Sequence, residues 1–244
     1  MVLTLIIFSA AFPLVVVYFW FRLAKINYSL VLFLITILPG LAAFFPALIL
    51  QNLLAFPIYS GRIALFYQYF VRIALTEELS RLLMLFIFFL ICSRFKPNSN
   101  FSIFGKQSSY MTPSYMTTSE IIKMGTAAGL VAGLGFAMLE NAIYAASNIN
   151  LLLFRLVTAV LHGACGSRIG AATVMFRSSP VKAVMHVLAA TAIHGLYNLM
   201  VTLPGISSVV AVLIALSAFA IAMVTITSNS QSAENLPDKT SQNY

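Results

Sequence analysis

Seven apolar runs, each about the length of a bilayer-crossing helix, leave this chain few folds to choose from. They cover residues 2–21, 28–50, 69–92, 121–146, 151–176, 181–203 and 206–226. A hydrocarbon core about 30 Å thick is crossed by roughly 20 apolar residues in α-helix, and there the helix satisfies its own backbone N–H and C=O groups. The expected fold is therefore all-α, a polytopic transmembrane bundle of about seven spans. The charge content agrees: 8% of residues are charged, against about 25% in soluble domains. The net charge of +8 then reads as loop anchoring on one side of the bilayer, with the lipid bilayer and not nucleic acid as partner. Cys92 and Cys165 make neither a metal spacing nor a disulfide framework. The first run lacks the basic segment that precedes a cleaved signal peptide, so it reads as a retained span.

Loops divide the chain simply. Residues 1–227 read as one membrane-embedded helical domain with its core at about 69–203, and the polar tail 228–244 as disordered and cytoplasmic. Residues 98–120, rich in Ser, Thr and Tyr, read as a flexible loop, and 51–62 as another. Pro39-Gly40 and Pro46 should kink the second run or end it early. With the N-terminus outside and the C-terminus inside, the inner segments hold Arg22, Lys25, Arg94, Lys96, Lys106, Lys123, Arg177, Lys182 and Lys239. The outer loops hold Arg62, with Arg72 and Arg155 near the outer ends of their spans. That bias sets the expected orientation.

Four of the runs contain groups that hydrocarbon excludes. The third opens with Thr76-Glu77-Glu78-Leu79-Ser80-Arg81, which holds two of the six acidic residues of the chain. A charge at the bilayer centre costs about 2.5–3.5 kcal/mol even on insertion scales, so an intramembrane ionisable group points to function. The fourth run has Glu140 and Asn141, the fifth His162, and the sixth His194 and Asn198. Run by run, these residues fall roughly 8–17 Å below the outer surface at the helical rise. The helical faces agree as well. Gly125, Gly129, Gly133 and Glu140 share one stripe, Thr158, His162, Gly166 and Gly170 another, and His194 and Asn198 are one turn apart. Taken singly, each has a plain structural use: Arg81 clamping Glu77 and Glu78, or His and Asn bridging helices. Four helices placing such groups at one depth favour a shared site.

Carboxylates and imidazoles enclosed in a bundle suit water activation. Several designs are excluded by inspection. No HExxH zinc motif and no GxSG serine elbow occur, the one aspartate, Asp238, lies in the tail, and the seventh run has no lysine for a retinal Schiff base. What remains is an ordered series: EExxR at Glu77, Glu78 and Arg81; GFxxxEN at Gly135, Phe136, Glu140 and Asn141; His162; and HxxxN at His194 and Asn198. This series resembles the PrsW family of intramembrane proteases, which is related to the CAAX-prenyl-protease and bacteriocin-processing superfamily. The resemblance covers residues 71–199. Glu140 favours the PrsW branch, since the wider superfamily usually has His there. Arg81 is a departure, because similar sequences often have Lys, which lacks the bidentate fork.

The resemblance implies hydrolysis of peptide bonds in membrane-anchored protein substrates. One glutamate of the pair is then the general base on a water, while His162 and His194 hold that water or protonate the leaving amine. Asn198 steadies the oxyanion, and Glu140 with Asn141 completes the site or orients a histidine. Adjacent helical residues point about 100° apart; the expected arrangement has Glu78 facing the histidines and Glu77 pairing with Arg81. The His–Glu spacing gives no local chelate, so no cofactor is committed and a metal-free version is favoured. Zinc remains open through His162, His194 and Glu78. A proton- or ion-coupled transporter and a non-catalytic scaffold or pseudoprotease are the alternatives. Against transport stand the single polar layer and the lack of an inverted repeat. A compact multi-pass chain best fits a bacterial plasma membrane.

Overall fold

The computed structural model describes residues 2–26, 28–56, 61–94, 118–147 and 152–227, and every regular element among them is helical. Helix α1 spans Val2–Leu23, α2 Leu30–Leu53 and α3 Arg62–Phe66. A π-wound segment, Tyr67–Leu75, follows α3 without a break and leads directly into α4, Thr76–Arg94. The rest is α5 (Thr118–Ser147), α6 (Leu152–Met175), α7 (Pro180–Thr202) and α8 (Ser207–Thr227). Helices α2, α5, α7 and α8 are long and apolar enough to cross a membrane. Helices α4 and α6 are interrupted by Glu77, Glu78 and Arg81 and by Arg155, His162 and Arg168, which dilute their apolar length.

Three sequence expectations shift in detail. The prolines of α2 do not end it: the helix runs through Pro39 and Pro46 for 24 residues, about 36 Å at the helical rise. It reaches Leu53, so the start of the expected 51–62 loop is helical. The third span begins earlier than expected, because the helix is continuous from Arg62. Residues 118–120 open α5, while residues 98–117 of the expected loop and the tail 228–244 lie outside the described residues.

Helices α5 and α6 form the centre and share the most extensive contact in the molecule. Residues 125–137 of α5 are buried without interruption, as expected of a helix apolar on all sides. Glycine makes the close approach possible. A Cβ on Gly129 would lie 2.7 Å from the Gly170 Cα and would overlap the Gly166 carbonyl oxygen; one on Gly133 would overlap the carbonyl oxygen of His162. Only hydrogen fits at these positions, so the small-residue stripes of the two helices face each other backbone to backbone. Helices α1 and α2 pack on α5, α7 and α8 pack on α6, and α4 lies against α2 and α6. On α2, Gly40 sits against the backbone of Ala132 and Phe136. This packing fixes the helix phases that aim the polar side chains inward.

Candidate active site

The polar groups of four elements meet in one buried cluster. Glu77, Glu78 and Arg81 come from the first two turns of α4, Glu140 from α5, His162 from α6 and His194 from α7. Glu78, Arg81, His162 and His194 are each no more than 2% exposed. Such burial of charge is tolerable only with partners, and the partners are present. Arg81 Nη2 donates to Glu78 Oε1 at 2.5 Å, Nη1 donates to the His162 carbonyl at 3.2 Å, and the guanidinium lies 4.9 Å from the Phe136 ring centre.

Each histidine is held by its own carboxylate. Glu78 Oε1 lies 2.8 Å from His194 Nδ1, and Glu140 Oε2 lies 2.8 Å from His162 Nε2. An ionised carboxylate only accepts, so the ring nitrogens donate in both pairs. Arg81 Nη2 also stands 3.4 Å from His194 Nδ1, too far to displace the Glu78 contact. The opposite nitrogens, Nδ1 of His162 and Nε2 of His194, are thereby left with lone pairs. The rings meet edge to face with centroids 4.9 Å apart. His194 Nε2 is 3.7 Å from Glu77 Oε2. Among the described residues Glu77 Oε2, Glu78 Oε2 and His162 Nδ1 are buried without a hydrogen-bond partner. Glu77, His162 and His194 each offer a ligand atom, all within 4.8 Å of one another.

This arrangement redistributes the expected roles of the glutamate pair. Glu78 takes both Arg81 and His194, whereas Glu77 Oε2 is 3.8 Å from Arg81. The carboxylate gathered with the two histidines is therefore Glu77, in place of Glu78 in the expected zinc set. Asn141 is buried, but it turns to Arg155: its Nδ2 donates to the Arg155 carbonyl at 2.9 Å, and its Oδ1 accepts from Arg155 Nε at 3.1 Å. Asn198 is half-buried, one turn beyond His194, and makes no hydrogen bond among the described residues.

Three site residues escape the sequence reasoning. Gln51, at the end of α2, donates to Glu77 Oε1 at 3.0 Å. Arg72 Nε donates to the Gln51 carbonyl at 3.0 Å, satisfying a carbonyl that the helix end would otherwise leave open. Arg155 Nη2 forms an ion pair with Glu140 Oε2 at 2.9 Å. A signal for two of them was available. Arg72 and Arg155 are basic residues at the expected outer ends of their spans, where the loops hold Arg62 besides, and an arginine that breaks the charge bias needs a partner inside.

The packing that builds this cluster involves nearly the whole chain, α2 and α8 included. A family model described as PrsW family intramembrane metalloprotease matches residues 28–226. No curated protein and no solved structure matches the chain significantly. The match begins just before α2, whose Gln51 reaches the glutamate pair, and ends in α8, beyond the 71–199 stretch that carries the motifs. This chain belongs to the PrsW family of intramembrane proteases.

Proposed function

We propose that the chain hydrolyses peptide bonds of membrane-anchored proteins at a divalent-metal centre held by Glu77, His162 and His194. One observation carries this reading: each histidine is tied by one nitrogen to a carboxylate, and Glu77, His162 and His194 each offer a ligand atom within 4.8 Å of one another. Metal-binding histidines almost always donate their second N–H to a carboxylate or carbonyl, which fixes ring and tautomer. The unpartnered buried atoms His162 Nδ1 and Glu77 Oε2 fit the same donor set. Two imidazoles and one carboxylate suit zinc, with a position left open. A bound ion of this kind polarises the scissile carbonyl and lowers the pKa of water.

The remaining roles fall to the protein's own groups. Glu78 keeps Oε2 unpartnered in the buried cluster, a place from which a carboxylate accepts the proton of the attacking water and returns it to the leaving amine. Arg81 neutralises Glu78 and holds it beside His194. Asn198, with its amide uncommitted, is the candidate oxyanion donor, a role in which one side chain contributes about 3–4 kcal/mol. Gln51 fixes one oxygen of Glu77. The surrounding domain, residues 1–227 with its core at 69–203, is proposed to cross the membrane about seven times, N-terminus outside, in a bacterial plasma membrane.

The test is reconstitution of the purified protein in vesicles with a single-span reporter protein. Wild type is expected to cleave it, a chelator to stop cleavage, and Zn²⁺ to restore it. Glu77→Gln, His162→Ala and His194→Ala are expected to abolish both cleavage and metal binding. Cleavage that persists in these variants, or that is indifferent to the chelator, refutes the site or the metal respectively.

A further inference from the structure

Arg155 sits beside Glu140 at the edge of the cluster. It begins the described side chains of α6, opposite the last turns of α5, and its guanidinium has three neighbours there. Nη2 pairs with Glu140 Oε2 at 2.9 Å, Nε donates to Asn141 Oδ1 at 3.1 Å, and the plane lies 4.2 Å from the Tyr144 ring centre. Asn141 closes the clamp by donating Nδ2 to the Arg155 carbonyl at 2.9 Å. One side chain thus ties Glu140, Asn141 and Tyr144 of α5 to α6. The same oxygen that Arg155 meets, Glu140 Oε2, is the acceptor 2.8 Å from His162 Nε2.

The chemistry of that shared oxygen sets the state of His162. A carboxylate paired with a guanidinium is ionised and can only accept, so His162 must present an N–H to it. The proton is thereby assigned to Nε2, and the buried Nδ1 is left as a lone pair with no hydrogen-bond partner among the described residues. Without Arg155 the carboxylate would lose its only cationic partner among the described residues. It would also lose the clamp that fixes its direction. The other half of the cluster is built alike: Arg81, Glu78 and His194 form a second chain of guanidinium, carboxylate and imidazole. Arg155 is to His162 what Arg81 is to His194.

We infer that Arg155 is a positioning residue for the reaction: through Glu140 it fixes the Nε2–H tautomer and the direction of His162, so that Nδ1 faces the metal centre. This inference rests on the metal-centre reading above. A lysine would keep the charge, but it could not span Glu140 and Asn141 together, because the ammonium lacks the planar fork.

The test uses the whole protein in detergent micelles with Co²⁺ as the metal probe. It also uses ¹⁵N-histidine spectra, which report the tautomer without any metal. The chain has three histidines, so the His162 signals are assigned by their loss in His162→Ala. In wild type His162 is expected as the Nε2–H tautomer. Arg155→Gln is expected to mix the tautomers and to weaken Co²⁺ binding by about 10–100-fold, the usual effect of losing an outer-shell partner. Reporter cleavage should lose kcat with KM nearly unchanged. Arg155→Lys should keep Nε2–H and fall between the two in Co²⁺ affinity, and it decides the matter if Arg155→Gln does not fold; wild-type affinity in the lysine variant would overturn the inference. A pure Nε2–H signal and wild-type Co²⁺ affinity in Arg155→Gln would overturn it too. Glu140→Gln separates the two readings. If it loses Co²⁺ affinity while Arg155→Gln does not, only the role of Arg155 falls. If wild type binds no Co²⁺, the metal centre falls, and the tautomer spectra still decide the role of Arg155.

Discussion

Arg81 is a full positive charge with 1% of its surface exposed, and its worth depends on what its removal leaves behind. Glu78 shows 0% exposure and, among the described residues, is held by Arg81 and His194. Breaking a buried ion pair by deleting one partner costs about 3–5 kcal/mol, because the other charge is stranded. Arg81→Met is therefore expected to destabilise the protein by that order, and Arg81→Met with Glu78→Gln to recover much of it; reversible unfolding in micelles measures both. An uncharged bridge is worth far less. Thr158 and Tyr197 share a buried hydrogen bond of 2.9 Å, and such bonds in membrane helices average about 0.6 kcal/mol. At this scale the sequence revealed which residues matter more readily than what each touches. Burial cost singles out Glu77, Glu78, Arg81, Glu140, His162 and His194 without any coordinates. Which glutamate faces which partner depends on helix phase, and the π-wound segment Tyr67–Leu75 just ahead of the pair alters that phase invisibly to a 3.6-residue pattern. Gln51 stayed hidden because an amide at the end of an apolar run looks like the start of a loop.

Helix positions were legible to within a few residues, because runs of about 20 apolar residues have hardly any alternative to spanning helix. The glycine stripes were legible as packing, and the structure adds that they also aim the site. Gly133 touches the backbone of the residue that supplies the imidazole: a Cβ there would overlap the His162 carbonyl oxygen and lie 3.1 Å from the Gly166 Cα. Backbone cannot step aside as a side chain can, so α5 and α6 would have to part. Gly133→Ala is expected to cost about 1–3 kcal/mol, as overpacking does, and to weaken Co²⁺ binding by pulling His162 away from Glu140. Gly163, on the same helix as His162, is the internal comparison. Its added Cβ would meet Leu134 side-chain atoms at 3.1 and 3.2 Å, which can rotate away. Gly163→Ala should lose less stability and leave metal affinity near wild type. Equal losses in the two variants would show that helix spacing does not set the site.

Across the whole molecule, the distribution of charge and the position of the cluster make one linked statement about the membrane. Arg177 and Lys182 flank the turn between α6 and α7, whereas the turn between α7 and α8, around Pro204 and Gly205, carries no charge. In the proposed orientation the positive-inside rule has the first turn in the cytoplasm and the second outside. His194 stands about two turns before the end of α7 at Thr202, so that orientation would put the cluster in the outer half of the bilayer. Both ends of α7 are open to labelling, since Ser178 and Pro204 are exposed. In a protein with Cys92 and Cys165 replaced by alanine, Pro204→Cys is expected to react with an impermeant maleimide in intact cells. Ser178→Cys should react only after permeabilisation. The same proposed orientation predicts where a substrate is cut. A substrate span entering from the lipid would meet Glu77, His162 and His194 within a few turns of its outer end, so mass spectrometry of the products should place the new termini near the non-cytoplasmic boundary. Reversed labelling together with a cytoplasmic cut would invert the orientation and leave the site intact. The expected labelling with a cytoplasmic cut is incompatible with chemistry at this cluster, because no helix described here carries a second group of buried carboxylates and imidazoles at the inner end.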